Sequence, residues 1–240
     1  MKRHGEVPGA AYNGAMERAP RRDKYAERRA ELGEAALQTL AELGYARTSL
    51  REIAQNSAFS HGVLHYYFTD KLDLILCSVR QYKARCVTRY DEVTNNSTTF
   101  GELVDGFVAV LGETVRSEAP MHRLWYDIRS QSLFEDALRA DVEAIDKSLA
   151  NMVWRVLTRM SELASLPVRA PIDLTYALFD GVFQQCLLRH MAGDAKAIPV
   201  MQGHVRLLVE QLIGAPAAAA PAKATRKRRG NVGFCAGSES

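Results

Sequence analysis

The sequence predicts an all-α fold, and three observations carry that prediction. Apolar residues recur at three- and four-residue steps through most of the chain. Alternation of β-branched residues is nowhere sustained over the length of a strand. Glycine and proline fall mostly between the periodic segments rather than inside them.

The elements follow in order. Residues 1–22 mix Gly, Pro, Ala and Arg without periodicity and read as a disordered basic arm. A first helix spans about Asp23 to Leu43, with Leu32, Ala36, Leu40 and Leu43 on one face, and stops at Gly44. A short helix follows Ser49, another follows Ser60, and a longer one runs from about Asp70 to the Asn95–Asn96 break. Later helices fit 98–117, 121–132, 134–163, 171–192 and 199–213, set apart by Pro120, Pro167, Pro171 and Pro199. In the 134–163 segment Leu138, Val142, Ile145, Leu149, Met152 and Val156 form a stripe for burial against neighbouring helices. From Ala215 the chain turns Ala/Pro-rich and then carries Arg226, Lys227, Arg228 and Arg229, which reads as a disordered basic tail over 215–240. The expected organisation is therefore 23–70 as a helix-turn-helix unit and 71–214 as a helical body, between two arms.

Charge and composition narrow the function. The 240 residues carry a net charge of only +3, yet Lys and Arg outnumber Asp and Glu by 11 to 9 over 1–71 and by 5 to 1 over 215–240. Over 72–214 the acids lead, 18 to 15. Basic ends and an acidic middle suit a chain whose ends approach phosphates while its body avoids them. Cys77, Cys86, Cys186 and Cys235 have no CxxC spacing, so neither a metal site nor a disulfide framework is expected, and the expected compartment is a reducing cytoplasm. No apolar run reaches the roughly 18 residues that span a bilayer, and the N-terminal segment lacks the apolar core of a secretory signal. No membrane partner and no cofactor are expected. The fingerprints of serine hydrolases, P-loop nucleotide binders, zinc peptidases and dinucleotide enzymes are missing, so enzyme function is not expected.

The run TSLREIAQNSAFSHGVLHYYFTDK, residues 48–71, carries the sharpest signal. Ser49 and Glu52 have the spacing of a capping box. Ile53 and Ala54 face inward, and Ala54 is small where two helices cross. Ser57 to Ser60 turn the chain, and Ser60 can cap the next helix. On that helix Val63, Leu64, Tyr67 and Phe68 make the apolar face and leave His61, Gly62, His65 and Tyr66 outward. Two turns of helix are too short to be stable alone. Such a segment makes sense packed on its predecessor and presented to the DNA major groove, which admits one helix. Lys71, in the first turn of the following helix, sits where a cation and free N–H groups can jointly hold a phosphate.

From Gly44 to Leu74 these residues closely resemble the helix-turn-helix of TetR-family regulators. The resemblance rests on Gly44-Tyr45, Thr48-Ser49, Ile53-Ala54, Ser60-x-Gly62, Leu64, Tyr67-Phe68 and Lys71, with no gap in spacing. It implies about nine helices per subunit, a homodimer on a double-stranded DNA operator, and a small-molecule effector, with repression the family's usual mode. By residue it implies phosphate contacts from Thr48, Tyr66 and Lys71, with His61, Gly62, Val63 and His65 on or near base edges; Ser49 and Ser60 complete the DNA-binding set. Three positions depart from the pattern. Ala58 stands where the turn usually has Gly, at a cost on the order of 1 kcal/mol if that backbone needs positive φ. His65 stands where Tyr is common and His61 where Lys is. These departures touch the operator sequence rather than the fold, and two histidines facing DNA admit modest pH-dependent binding.

The body is less explicit. The resemblance implies that the last two helices pair with their counterparts in a four-helix bundle. The expected interface is Leu174, Leu178, Gly181, Gln185 and Leu188, then Met201, Val205, Leu208 and Leu212, although the same pattern also describes ordinary packed helices. Two-fold symmetry matches the need of such readers to hold two half-sites. A ligand pocket is expected among Phe107, Met121, Trp125, Tyr126, Phe179 and Phe183, with Arg129 and Gln184 as polar anchors, although most aromatics at helical spacing are simply core. A buried Arg129 needs a partner: an anionic ligand, or else Asp127, Asp180 or Glu113. Cys77 and Cys86, nine residues apart, fall on opposite helix faces, which argues against a two-cysteine switch within that helix. The competing class is a nucleoid or partner-binding protein whose body takes no ligand.

Overall fold

A computed structural model describes residues 21–213. The segments read as arms, including Arg18 and the cluster at 226–229, lie outside the described residues, apart from Arg21 and Arg22, where the first helix already begins. Among the described residues there are nine helices and no strand: α1 (Arg21–Arg47), α2 (Leu50–Gln55), α3 (His61–Tyr67), α4 (Lys71–Cys86), α5 (Asp91–Asn96), α6 (Phe100–Gln131), α7 (Asp136–Ala164), α8 (Ile172–Met191) and α9 (Ala197–Leu212).

Gly44 interrupts α1 with φ 79° and ψ 172°, a backbone region open essentially to glycine alone. The chain turns there, and the Tyr45 N–H donates to Asp127 on α6 at 2.8 Å. The Tyr45 hydroxyl bonds Glu135, so one residue ties the end of α1 to the body at two points. Sequence reasoning predicted that glycine stop.

Two expectations about breaks need correction. Pro120 does not separate two helices, because α6 runs through it with a kink at Glu118 (φ −129°, ψ 21°). Proline withholds one N–H and crowds the preceding turn, which bends a helix whose two halves are both held by neighbours. The expected 70–96 helix divides instead, into α4 and α5, with a turn over 87–90.

Two cores form along the molecule. One gathers Leu32, Leu40, Ile53, Leu64, Phe68, Leu74 and Ile75 with Trp125, Ile128, Leu138 and Val142, so α1–α4 and the near ends of α6 and α7 share it. The other gathers Leu103, Phe107, Val115, Val153, Leu157 and Met160 with Phe179, Met201, Val205 and Val209. Leu149 packs against both. The α7 stripe therefore does what its period predicts, lying across the seam between them.

Candidate nucleic-acid interface and effector cavity

Helix α3 is placed from both ends. The Ser60 hydroxyl accepts the Val63 N–H at 3.3 Å, as its position predicts for a cap. At the other end the Tyr67 carbonyl accepts from Arg29 of α1 and from the Tyr25 hydroxyl, the latter at 3.3 Å. Arg29 also forks onto Asp73 of α4 at 2.6 and 3.1 Å and lies 4.4 Å over the Phe68 ring. One guanidinium thus joins α1, α3 and α4. The bidentate bond holds the Asp73 carboxyl below its ordinary pKa and raises that of Arg29.

That pinning leaves one edge of α3 to solvent. Leu64 and Phe68 are buried, and Val63 and Tyr67 are half-buried. His61, Gly62, His65 and Tyr66 are exposed, Tyr66 at 73%. The His61 and His65 Nε2 atoms approach to 3.1 Å, and Tyr66 stacks edge-on to Tyr67 with centroids 4.9 Å apart. An added Cβ on Gly62 would meet nothing within 4 Å, so the backbone there is open to close approach.

Other members of the expected DNA-binding set are placed differently. Thr48 is buried and its hydroxyl donates to the Gly44 carbonyl at 2.7 Å, closing the turn after α1, so a phosphate contact by that hydroxyl is corrected. Ser49 accepts the Glu52 N–H at 3.2 Å, giving half of the expected capping box; the reciprocal form occurs instead at Thr99 and Glu102. The half-buried Lys71 holds its ammonium 4.5 Å over the Tyr45 ring at the start of α4. Among the described non-glycine residues only Ser165 has positive φ, so Ala58 carries none of the expected backbone cost. Arg47 and Arg51, exposed on either side of Ser49, were not singled out, although two arginines flanking a cap are a legible sign of a phosphate-facing turn.

A cavity of about 80 Å³ lies inside the body, walled by α4, α6, α7, α8 and α9. Phe107, Trp125, Tyr126, Phe179 and Phe183 line it, as expected, whereas Met121, Arg129 and Gln184 do not. Arg129 is instead neutralised within the protein, 2.5 Å from Asp180 and 3.1 Å from Asp146. Tyr126 and Tyr176 donate to the same two carboxylates at 2.9 and 2.7 Å. Of the partners open to Arg129, Asp180 is the one realised. Sequence reasoning missed Lys83, Cys86, Arg89, Thr114 and His122 on the wall. Lys83 is only 4% exposed, and burial pulls its amine down to about 8. Arg89 is occupied by Glu118 at 2.6 Å and Thr114 at 3.0 Å. Burial drives His122 well below its ordinary value, so its ring is neutral.

The expected interface divides by helix. On α8, Leu174, Leu178, Gly181, Gln185 and Leu188 are exposed. On α9, Met201, Val205 and Leu212 are buried in the subunit's own core and Leu208 is half-buried; these are corrected, because the apolar face of α9 turns toward α6. There an added Cβ on Gly112 would meet Gln202 at 2.6 Å. The apolar residue that α9 presents outward is Leu207, 52% exposed.

Residues 32–76 match the family model described as bacterial regulatory proteins, tetR family. The chain is 28% identical over 115 residues to the HTH-type transcriptional regulator BetI of Burkholderia thailandensis, a match covering 47% of this chain and 58% of that protein. With the BetI of Paraburkholderia phymatum it shares 25% identity over 187 residues, 77% of this chain and 94% of the relative. The chain thus spans little more than half the length of the first of these curated relatives. Among solved structures, the transcriptional regulator FadR from Bacillus subtilis in complex with stearoyl-CoA superposes with a TM-score of 0.61 at 20% identity, covering 76% of this chain and 98% of that one. A TetR transcription regulator from Haloarcula marismortui superposes at 0.64 with 17% identity, covering 80% and 99%. The fold is shared with both, and residues 32–76, which include α2 and α3, match the tetR family of bacterial regulatory proteins.

Proposed function

We propose that this chain is a TetR-family transcriptional regulator that binds a palindromic operator as a homodimer, represses there, and is released by a small molecule that enters the body cavity, all in the cytoplasm. The observation that carries the reading is the edge of α3: His61, His65 and Tyr66 stand free while Arg29 fixes the helix behind them. A helix so held presents side chains to base edges without ordering itself on contact. Leu174, Leu178 and Leu188 on α8 and Leu207 on α9 support the dimer, being exposed apolar residues on the two helices that the family resemblance assigns to pairing.

The cavity supports an effector that changes the protein's shape. Ligand sites for small molecules usually hold about 300–1,000 Å³. The present 80 Å³ takes little more than a compact group, far less than the stearoyl-CoA held by the Bacillus subtilis protein of this fold. A bulkier ligand has to part the helices, and so binds better to a state other than the closed one described here. That difference in affinity is the requirement for release.

The test begins with selection of bound DNA from a random pool, where an inverted repeat is expected. Candidate metabolites are then titrated against the protein–operator complex. Enrichment of no symmetric sequence contradicts the dimeric operator reading, and indifference to every metabolite favours a body without an effector.

A further inference from the structure

Among the described residues the body buries one cation, Lys83, that forms no ion pair. Lys83 sits on the inner face of α4 with Val79, Tyr82 and Cys86, and its ammonium lies 4.9 Å over the Trp125 ring and 5.5 Å over that of Tyr82. Ring faces attract a cation but accept no full hydrogen bond. Among the described residues Lys83 makes neither an ion pair nor a side-chain hydrogen bond. The other cations near the cavity are committed: Arg89 to Glu118, and Arg129 to Asp180 and Asp146.

A buried donor without an acceptor lies on the same wall. The indole N–H of Trp125 is buried without an acceptor. Buried donors are almost always paired, and each exception asks for an explanation. An ammonium without an ion pair and a buried N–H without an acceptor therefore border one cavity. The acceptors there are engaged: Asp180 takes Arg129 and Tyr126, and Thr114 takes Arg89. His122 shares its Nε2 with the Tyr82 hydroxyl at 3.3 Å. The remaining wall, from Phe107, Leu111, Met152, Val153, Phe179 and Phe183, is apolar.

We infer that Lys83 is the anchor for a carboxylate-bearing effector whose uncharged remainder packs on the apolar wall, with the Trp125 N–H as a second donor. This rests on reading the cavity as the effector site and adds the chemical class of the ligand. A carboxylate supplies the acceptors both donors lack, and a desolvated ammonium bonds it more strongly than a neutral partner. A ligand cation would instead meet the like charge of Lys83.

The experiment uses the full chain and the straight-chain carboxylates from butanoate to decanoate, each against the alcohol of the same length, by titration calorimetry. The expected result is that at least one carboxylate binds at least tenfold more tightly than its alcohol. The same carboxylate is expected to weaken the protein–operator complex. Lys83→Met and Lys83→Gln should each abolish the tenfold preference while keeping a cooperative thermal transition, because both remove a buried charge without leaving a partner unpaired. Alcohols that bind as well as carboxylates, a preference that survives both variants, or no carboxylate binding at all overturns the inference. Alcohols that bind and release the operator would do so while leaving the effector site intact. Binding of either class without any change in operator affinity would instead sink the effector reading itself.

Discussion

Gly44→Ala tests the joint between reading head and body. At φ 79° and ψ 172° an alanine is strained by about 1–3 kcal/mol. Its Cβ would also stand 3.2 Å from Asp127 Oδ2, the atom that accepts the Tyr45 N–H at 2.8 Å. Losing that charge-assisted hydrogen bond costs a further ~1.5–3 kcal/mol. Alanine returns roughly 0.4–1 kcal/mol by restricting the unfolded chain. The balance is a loss of about 2–5 kcal/mol, which for a chain of this size lowers Tm by roughly 5–15 °C. Thermal unfolding followed by circular dichroism reads it directly. Asp127→Ala separates the contributions: in that background Gly44→Ala should cost only the backbone strain. A Gly44→Ala protein that melts with the wild type would show that neither the strain nor the bond holds the joint.

Three further outcomes follow from the geometry. Tyr66→Ala, which removes an exposed side chain from α3, should weaken operator binding about tenfold, the loss of one hydrogen bond of roughly 1–1.5 kcal/mol, with unchanged Tm; equal mobility-shift titrations would contradict its role. Leu178→Glu with Leu188→Glu places charges on the exposed face of α8 and should leave folded monomers in sedimentation, whereas an intact dimer would move the interface elsewhere. Because Lys83 titrates near 8 in the fold against 10.5 ordinarily, the unfolded chain binds the extra proton between those values. The penalty of the buried ammonium is therefore complete below pH 8 and fades as pH rises. The unfolding free energy of the ligand-free protein, from urea titrations, should climb by about 2 kcal/mol from pH 8 to pH 10, at up to ~1.4 kcal/mol per unit, and that climb should be missing in Lys83→Met. Above pH 10 the buried phenols of Tyr45 and Tyr90, raised to about 12, reverse the trend.

The head was legible because its signals are local. A serine before a short apolar-faced helix, a glycine after a long one and a phenylalanine four residues beyond a leucine each determine something within a turn or two. They predicted α3, the stop at Gly44 and the exposed edge. Pro120 was misread because the residues that keep α6 continuous lie far along the chain, in α1, α7, α8 and α9. Met201, Val205 and Leu212 were apolar at helical spacing, which indicates burial but not whether the covering surface is the same subunit or another. Lys83 was missed for an opposite reason: lysines are assumed to be outside. Yet Val79, Lys83 and Cys86 recur at four- and three-residue steps, which places a lysine on the buried stripe of α4. The Arg129 partner was left between an anionic ligand and three acids; the packing of α8 on α6 selects Asp180, and Asp146 of α7, the second partner, was not foreseen.

Helix α4 supplies the mechanical link that the proposed release needs. Its 16 residues span about 24 Å at 1.5 Å each. At one end Asp73 holds Arg29, and through it the C-terminal end of α3, while Lys71 covers Tyr45. At the other end Lys83 and Cys86 form cavity wall. A displacement at the cavity therefore reaches the reading head along one hydrogen-bonded rod rather than through a chain of loops. Moving a population from 1:99 to 99:1 takes about 5.5 kcal/mol of differential binding. Apolar contact alone is a poor source of that difference, since a cavity this small offers little surface in either state. Pairing a buried, unmatched ammonium is a better one. The bond is strong where water is excluded, and a ligand bulkier than the 80 Å³ cavity makes it only once the helices part. Lys83 would then be kept at a cost in stability because that cost is what the effector removes.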